Sequence, residues 1–210
     1  MSAFASLVLD VDSTLCGVEG IDWLAARRGP EVAEQTRKLT ERTMNGEISL
    51  EDVYGQRLSV VRPTPKDIAA LADVYRKTAA AGAVEAIARI NAAGTRIVLV
   101  SGGIRQAIAP LADTLDVELH AVELEWDARG EYKSFRPSPL STQTGKTSVV
   151  RSLGLARPSL AVGDGATDLA MRDAVDVFAA CTVFVRREQI VSGASREIAS
   201  FDELARVVLG

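Results

Sequence analysis

Apolar residues fall along this chain in two rhythms. Val117 to Val122, Val175 to Ala179 and Thr182 to Val185 are strand-like, and short apolar runs bounded by polar turns stand at Leu7-Val8-Leu9, Arg96 to Val100 and Ser159 to Val162. Such runs predict strands buried on both faces, as in a parallel sheet. Between them, apolar positions recur at helical spacing. Ala83 to Ala93, closed by Gly94, predicts a helix. So do Ile104 to Leu115, Thr144 to Leu153 closed by Gly154, Ala166 to Asp173, and Phe201 to Leu209 capped by Ser200. Leu124 to Trp126 and Glu131 to Phe135 flank Asp127-Ala-Arg-Gly130, which predicts a hairpin.

One stretch breaks the alternation. From Glu19 to about Ala81 the pattern is helical throughout. Ile21, Trp23, Leu24 and Ala25 begin one helix, and Pro30 starts a second that runs towards Met44 and stops at Asn45-Gly46. Ser49 and Asp52 stand as N-cap and third residue of a third helix carrying Leu50, Val53, Leu58 and Val61. Pro63 and Pro65 end it, and Thr64 caps a fourth from Pro65 towards Lys77. The expected fold class is α/β: a doubly wound parallel sheet with a small helical unit inserted after the first strand. The expected core is residues 1–15 and 82–210, and the helical insertion residues 16–81.

Composition narrows the function classes. A length of 210 residues, 47% hydrophobic and 25% charged, suits one globular unit with a substantial insertion. A net charge of −4 argues against a general nucleic-acid surface, while a few local cations could still hold an anionic substrate. No apolar stretch is long enough to span a membrane, and the N-terminus shows no secretory pattern. Cys16 and Cys181 form neither a disulfide framework nor a metal-ligand spacing, so reduced thiols in a cytoplasmic protein are expected. His120 stands alone, which makes His-based triads and His-rich zinc sites improbable, and its expected role is structural.

Three polar signals fall where strands should end: Asp10-Val-Asp12, Ser101-Gly-Gly103, and Gly163-Asp164 through Asp168. In open α/β sheets ligands bind outside those ends. Taken singly, Asp-Ser-Thr and Ser-Gly-Gly read as turns with caps, and Lys146 as solvated surface. Their coincidence at one sheet edge points instead to a site. Two carboxylates as close as Asp10 and Asp12 need a cation, or one must hold a proton. Asp10, Asp12 and Asp164 gather oxygen ligands without nitrogen or sulfur, a set that suits Mg²⁺. Ser101-Gly102-Gly103, opening a helix, offers a hydroxyl and backbone N–H groups to an anion. Lys146, early in a helix, could supply a cation. With phosphate held there, an Asp can attack phosphorus, and a carboxyl two residues on can give and take the proton.

The motifs Asp10-Val-Asp12-Ser-Thr, Ser101-Gly-Gly, Gly145-Lys146 and Gly163-Asp-Gly-Ala-Thr-Asp168, in this order, resemble the four motifs of the haloacid dehalogenase-like phosphatases. Glu19-Gly-Ile-Asp22, Met44 to Glu47 with Arg57-Leu58, Leu99 to Gly103, Gly130-Glu-Tyr132 and Ser200 to Leu204 are similar to the branch that acts on O-phospho-L-serine. The resemblance implies a Rossmann-like core with a helical cap after the first strand. It implies Mg²⁺-dependent hydrolysis of that ester to serine and phosphate, in serine biosynthesis, through an aspartyl-phosphate. By motif position, Asp10 would be nucleophile and metal ligand. Asp12 would be general acid and base, its main-chain carbonyl also meeting the metal. Asp164 would complete the ligands, with Asp168 supporting it through water or by holding the ligands from outside. Ser101, Gly102 and Lys146 would hold the phosphate, Glu19 the substrate ammonium and Arg57 its carboxylate, while Met44 would help wall the pocket.

Some positions depart from the family pattern. Ile104 and Leu50 stand where aromatics are usual, Thr167 where Asn is commoner, and Gln143-Thr144 is a less usual approach to the lysine. The implied partner is a small phosphorylated amino acid, with no nucleic acid or membrane, and the protein would be a monomer or homodimer. The same residues could instead pass the phosphoryl group to an alcohol such as homoserine, or serve another small phosphate ester. A non-catalytic binding module would be expected to lose Asp10, Asp12 or Lys146, and all three are present.

Overall fold

The computed structural model describes residues 2–44 and 47–210, and their side chains apart from those of Thr43 and Met44. The stop expected at Asn45-Gly46 lies outside the described residues. The chain runs β1 (Ser6–Leu9), α1 (Gly20–Arg28), α2 (Pro30–Met44), α3 (Leu50–Val61), α4 (Pro65–Lys77) and α5 (Ala83–Ala92). It continues through β2 (Arg96–Ile104), α6 (Arg105–Leu115), β3 (Glu118–Val122), β4 (Leu124–Trp126), β5 (Tyr132–Phe135) and α7 (Gly145–Ser152). It closes with β6 (Ser159–Gly163), α8 (Ala166–Leu169), β7 (Val177–Cys181), α9 (Glu188–Gly193), β8 (Arg196–Ile198) and α10 (Phe201–Leu209).

Six strands form one sheet in the order β3-β2-β1-β6-β7-β8, every neighbouring pair parallel. All residues of β1 and β6 are buried, so helices cover both faces, as the unbroken apolar runs require. The fold is the expected Rossmann-like α/β core. Strand order reverses across β1 and β6, and Leu9 lies level with both Leu99 and Val162. β1 and β6 therefore end level with each other beside the longer β2, which brings Asp10 and Asp164 to the same edge as Ser101. The hairpin β4–β5 forms as expected.

Three expectations change. Ser101-Gly-Gly103 does not stop its strand. β2 continues to Ile104, which pairs with Val122 beyond a register shift, and the helix opens only at Arg105. The helix over Ala166 to Asp173 becomes α8 followed by a tighter 3₁₀ turn, Ala170–Asp173. Thr182 to Val185 is not a strand. Its β-branched and aromatic residues fit strand propensity, but the chain leaves the sheet after Cys181, and the edge position goes to β8. Phe184 lies instead over Gly17, where a Cβ would come within 2.7 Å of the ring.

The inserted helices are held by specific local chemistry. Ser49 Oγ accepts from the Asp52 amide at 3.1 Å, and Thr64 and Asp67 form a reciprocal capping box. Arg28 donates to the carbonyls of Val61 (2.9 Å) and Arg62 (2.7 Å) and to Asp67 (2.6 Å), tying α1 to the α3–α4 turn. The two connections of this unit to the sheet run side by side: Gly17 N–H donates to Thr78 O and Ala80 N–H to Leu15 O, both at 2.9 Å. The hairpin braces it from outside. The Trp126 indole donates to Pro63 O at 2.8 Å, and Phe135 meets Tyr54 edge-on at 5.1 Å. Among the described residues no helix is long and apolar enough to cross a membrane.

Two glycines test this packing in opposite directions. A Cβ on Gly145 would lie 1.7 Å from the Pro139 carbonyl oxygen, so Gly145→Ala forces backbone apart and should cost about 1–3 kcal/mol or more. Gly55 lies inside α3, and a Cβ there would sit 3.5 Å from Phe135, an ordinary contact. Gly55→Ala should stabilise by about 0.5–1 kcal/mol through helix propensity. Denaturant unfolding of both variants checks this, and equal midpoints would contradict both assignments.

Candidate active site

Asp10, Asp12, Glu19, Arg57, Ser101, Gly102, Lys146, Asp164 and Asp168 all line one cavity of about 930 Å³ above the ends of β1, β2 and β6. The side chain of Met44 lies outside the described residues.

At the floor, one carboxylate oxygen from each of Asp10, Asp164 and Asp168 lies within 4.8 Å of the other two. All three residues are buried. Lys146, itself buried, places Nζ 2.5 Å from Asp10 Oδ1 and 2.6 Å from Asp168 Oδ1. The second oxygen of Asp168 accepts from the Gly165 amide at 2.9 Å. Gly163 makes this possible, since a Cβ there would fall 2.3 Å from the Asp168 carboxyl carbon. Ser13 adopts a left-handed backbone (φ 55°), which turns the chain after Asp12. Thr14 then donates to Asp164 Oδ1 at 3.1 Å. Arg187 pairs with the Asp164 carboxylate and donates to its carbonyl at 3.2 Å.

Burial, then the charge of Asp168, pushes the Asp10 carboxyl up to about 8, against the pull of Lys146. Burial opposes the Lys146 ammonium as well, but Asp10 and Asp168 outweigh it and hold its pKa above the ordinary lysine value. Three crowded carboxylates thus face two cations, and Asp10 needs further positive charge to ionise at neutral pH. An all-oxygen, buried, negatively charged cluster of this kind could hold a hard divalent cation such as Mg²⁺.

Asp12 turns its carboxylate away from that cluster. Its Oδ1 accepts from the Tyr75 hydroxyl at 2.7 Å and its Oδ2 from the Gly20 amide at 3.1 Å. Burial, then Glu19, pushes its pKa up to about 6, while those two hydrogen bonds pull it down. Ser101 Oγ accepts from the Gly103 amide at 2.9 Å, and the Gly102 carbonyl accepts from Tyr54 at 2.8 Å. Glu19 is exposed at the cavity rim and accepts from Ser13 at 2.6 Å. Arg57 pairs with Asp22, and its Nε is buried without a hydrogen-bond partner.

Sequence reasoning did not find Tyr54, Tyr75 or Arg187. Both tyrosines sit on the apolar stripe of their helices, where an aromatic reads as filler. Arg187 follows the mistaken strand at Thr182 to Val185. His120 lies on β3 and pairs with Glu118 at 2.7 Å, which suits its expected structural role. Cys16 and Cys181 are free and buried, and burial raises both thiols, Cys181 to about 11.

The sequence pattern of the haloacid dehalogenase-like hydrolases matches residues 7–172. Phosphoserine phosphatase of Mus musculus is 30% identical over 206 residues, covering 95% of this chain and 91% of that protein. Chloroplastic phosphoserine phosphatase of Arabidopsis thaliana is 31% identical over 210 residues, covering 95% and 70%. The crystal structure of a phosphoserine phosphohydrolase-like protein from Francisella tularensis superposes with a TM-score of 0.82 at 25% identity, covering 96% of this chain and 98% of that one. With the pattern spanning most of the chain and all four motif regions gathered at one sheet edge, the chain belongs to the haloacid dehalogenase-like hydrolase family.

Proposed function

We propose that the protein is a Mg²⁺-dependent phosphomonoester hydrolase of the cytoplasm that converts O-phospho-L-serine to L-serine and phosphate, within serine biosynthesis. The observation that carries the reading is the seating of Lys146 between Asp10 and Asp168, whose cluster includes Asp164, in the cavity that Ser101 and Gly102 also line. That arrangement leaves a nucleophile, a cation and the Ser101-Gly102 stretch of β2 facing one cavity. We read residues 1–15 and 82–210 as the catalytic core and 16–81 as a cap over it. The paired connections at Leu15–Gly17 and Thr78–Ala80 support that division.

On this reading Asp10, Asp164 and the main-chain carbonyl of Asp12 would hold the metal, with Asp168, whose carboxylate joins the same cluster, supporting them. When bound, Mg²⁺ supplies the positive charge that lets carboxylates and phosphate share the site. Ser101, the Gly102 amide and Lys146 hold the phosphate oxygens. An oxygen of Asp10 attacks phosphorus as the bond to the ester oxygen breaks. That oxygen leaves with the electron pair and takes the proton of Asp12, giving the free alcohol and an aspartyl-phosphate. Asp12, now a carboxylate, takes a proton from water as it attacks phosphorus. The bond to Asp10 breaks, phosphate leaves, and both carboxyl groups return to their starting states.

The substrate assignment rests on the named relatives and on two groups at the cavity wall. Arg57 has an unpartnered buried Nε, which suits a carboxylate, and Glu19 offers an anion to an ammonium. Asp22 already holds one arm of Arg57, fixing the guanidinium in place.

Three measurements test this reading. Exhaustive chelation should abolish turnover of phosphomonoesters and Mg²⁺ should restore it, while full activity in EDTA would remove the metal. Asp10→Asn should lower kcat by several orders of magnitude and lose the complex that beryllium fluoride forms with the wild-type carboxylate. A variant retaining near-normal kcat, its amide intact by mass spectrometry, would exclude the covalent route. Arg57→Ala should lower kcat/KM for phosphoserine by roughly thirtyfold or more, from a loss of about 2–5 kcal/mol at about 1.4 kcal/mol per decade. It should affect p-nitrophenyl phosphate much less, and Arg57→Lys should rescue only partly. Equal losses on both substrates would sink the phosphoserine assignment while leaving the hydrolase one.

A further inference from the structure

Both hydrogen bonds to the Asp12 carboxylate come from the inserted helices: the Tyr75 hydroxyl from α4 and the Gly20 amide from the first residue of α1. Tyr75 is fully buried. For helix packing alone a phenylalanine or leucine would fill its place, because a buried hydroxyl costs free energy unless it is bonded. Its hydroxyl occupies a slot cleared of side chains. A Cβ on Gly20 would lie 2.4 Å from the hydroxyl oxygen, and one on Gly103 3.3 Å from it. The sequence therefore keeps a polar atom in a buried place and two glycines around it, and the hydroxyl's partner is Asp12.

A carboxylate turns easily about its last torsion, and each of its oxygens has two lone-pair positions. One donor to each oxygen fixes the plane of the group and leaves a free position on both. We propose that Tyr75 is the positioning residue of the acid–base step, its hydroxyl and the Gly20 amide fixing the orientation in which Asp12 gives its proton to the leaving-group oxygen and later takes one from water. The inserted helices thereby do more than cover the cavity: they set the geometry of the group that handles the proton. The inference rests on the phosphomonoesterase reading above.

The test uses the full-length protein with Mg²⁺ and a series of phosphomonoesters from dinitrophenyl and p-nitrophenyl phosphate to alkyl phosphates, reading kcat/KM. That constant reports the step in which the ester bond breaks. Good leaving groups depart without a proton and poor ones need it. General acid catalysis is worth about 10²–10⁴-fold, so Tyr75→Phe should lower kcat/KM for alkyl esters about tenfold or more, and for dinitrophenyl phosphate by less than about threefold. Gly20→Ala, whose Cβ would displace the hydroxyl, should reproduce this steeper dependence on the leaving group with the tyrosine still in place. Combined with Tyr75→Phe it should add little, because the displaced atom is already gone. Gly20→Ala also carries the test if Tyr75→Phe does not fold. An unchanged dependence on the leaving group, or an equal loss across the series, overturns the inference while the hydrolase reading stands. A wild-type protein that turns over no phosphomonoester overturns both.

Discussion

One oxygen each of Asp10, Asp164 and Asp168 lies within 4.8 Å of the others where little water reaches, and unit charges at that separation would repel by roughly 3.5 kcal/mol per pair at an effective dielectric of about 20. Much of the surrounding structure answers that repulsion. Lys146 has to be buried between two of the carboxylates, although burial disfavours its own charge. To bring it there, α7 has to start hard against the Pro139 carbonyl, which leaves no room for a side chain at position 145. Gly163 has to be bare so that Asp168 can fold back over the end of β6. Thr14 and Arg187 satisfy Asp164 from the other side. A negative cluster that is costly to assemble is also one that binds a divalent cation readily, because the cation relieves a strain already present.

The sheet brings these residues together, and the insertion completes the arrangement. Leu9, Leu99 and Val162 lie side by side, so residues far apart in the chain leave their strands level with one another. The insertion joins this edge beside Asp12 through two short connections hydrogen-bonded to each other. Tyr54 reaches back from α3 to the Gly102 carbonyl, and Tyr75 from α4 to Asp12. The position of the helices and the geometry of the site are therefore one structural variable, not two.

The fold was legible because buried parallel strands demand unbroken apolar runs, and those runs are short enough here to be told from helices. The carboxylates and Lys146 were legible because each follows such a run or opens a helix. The errors have physical causes. Ser-Gly-Gly reads as a stop, yet Ile104 still pairs with Val122, because a register shift absorbs the glycines without ending the ladder. Val183-Phe-Val185 has strand propensity, but propensity does not say whether an edge is free, and Arg196 to Ile198 takes it. Tyr54 and Tyr75 were invisible for a different reason. Their rings satisfy the apolar stripe, while the information lies in the hydroxyl, whose use depends on partners 48 and 63 residues away.

Among the described residues, each cation that faces the cavity is already in an ion pair: Lys146 with Asp10 and Asp168, Arg187 with Asp164, Arg57 with Asp22. These cations are thus paired before an anion arrives, and on the proposed reading phosphate and carboxylate enter by exchanging partners. Exchange gains less than pairing with a bare charge, because the desolvation of each cation has already been met by its internal partner. It also keeps the guanidinium and ammonium groups in fixed positions, so little ordering remains when the ligand binds. Such a site trades raw affinity for geometry. That suits a phosphatase, whose product, inorganic phosphate, keeps the charged phosphoryl oxygens of the substrate and has to leave.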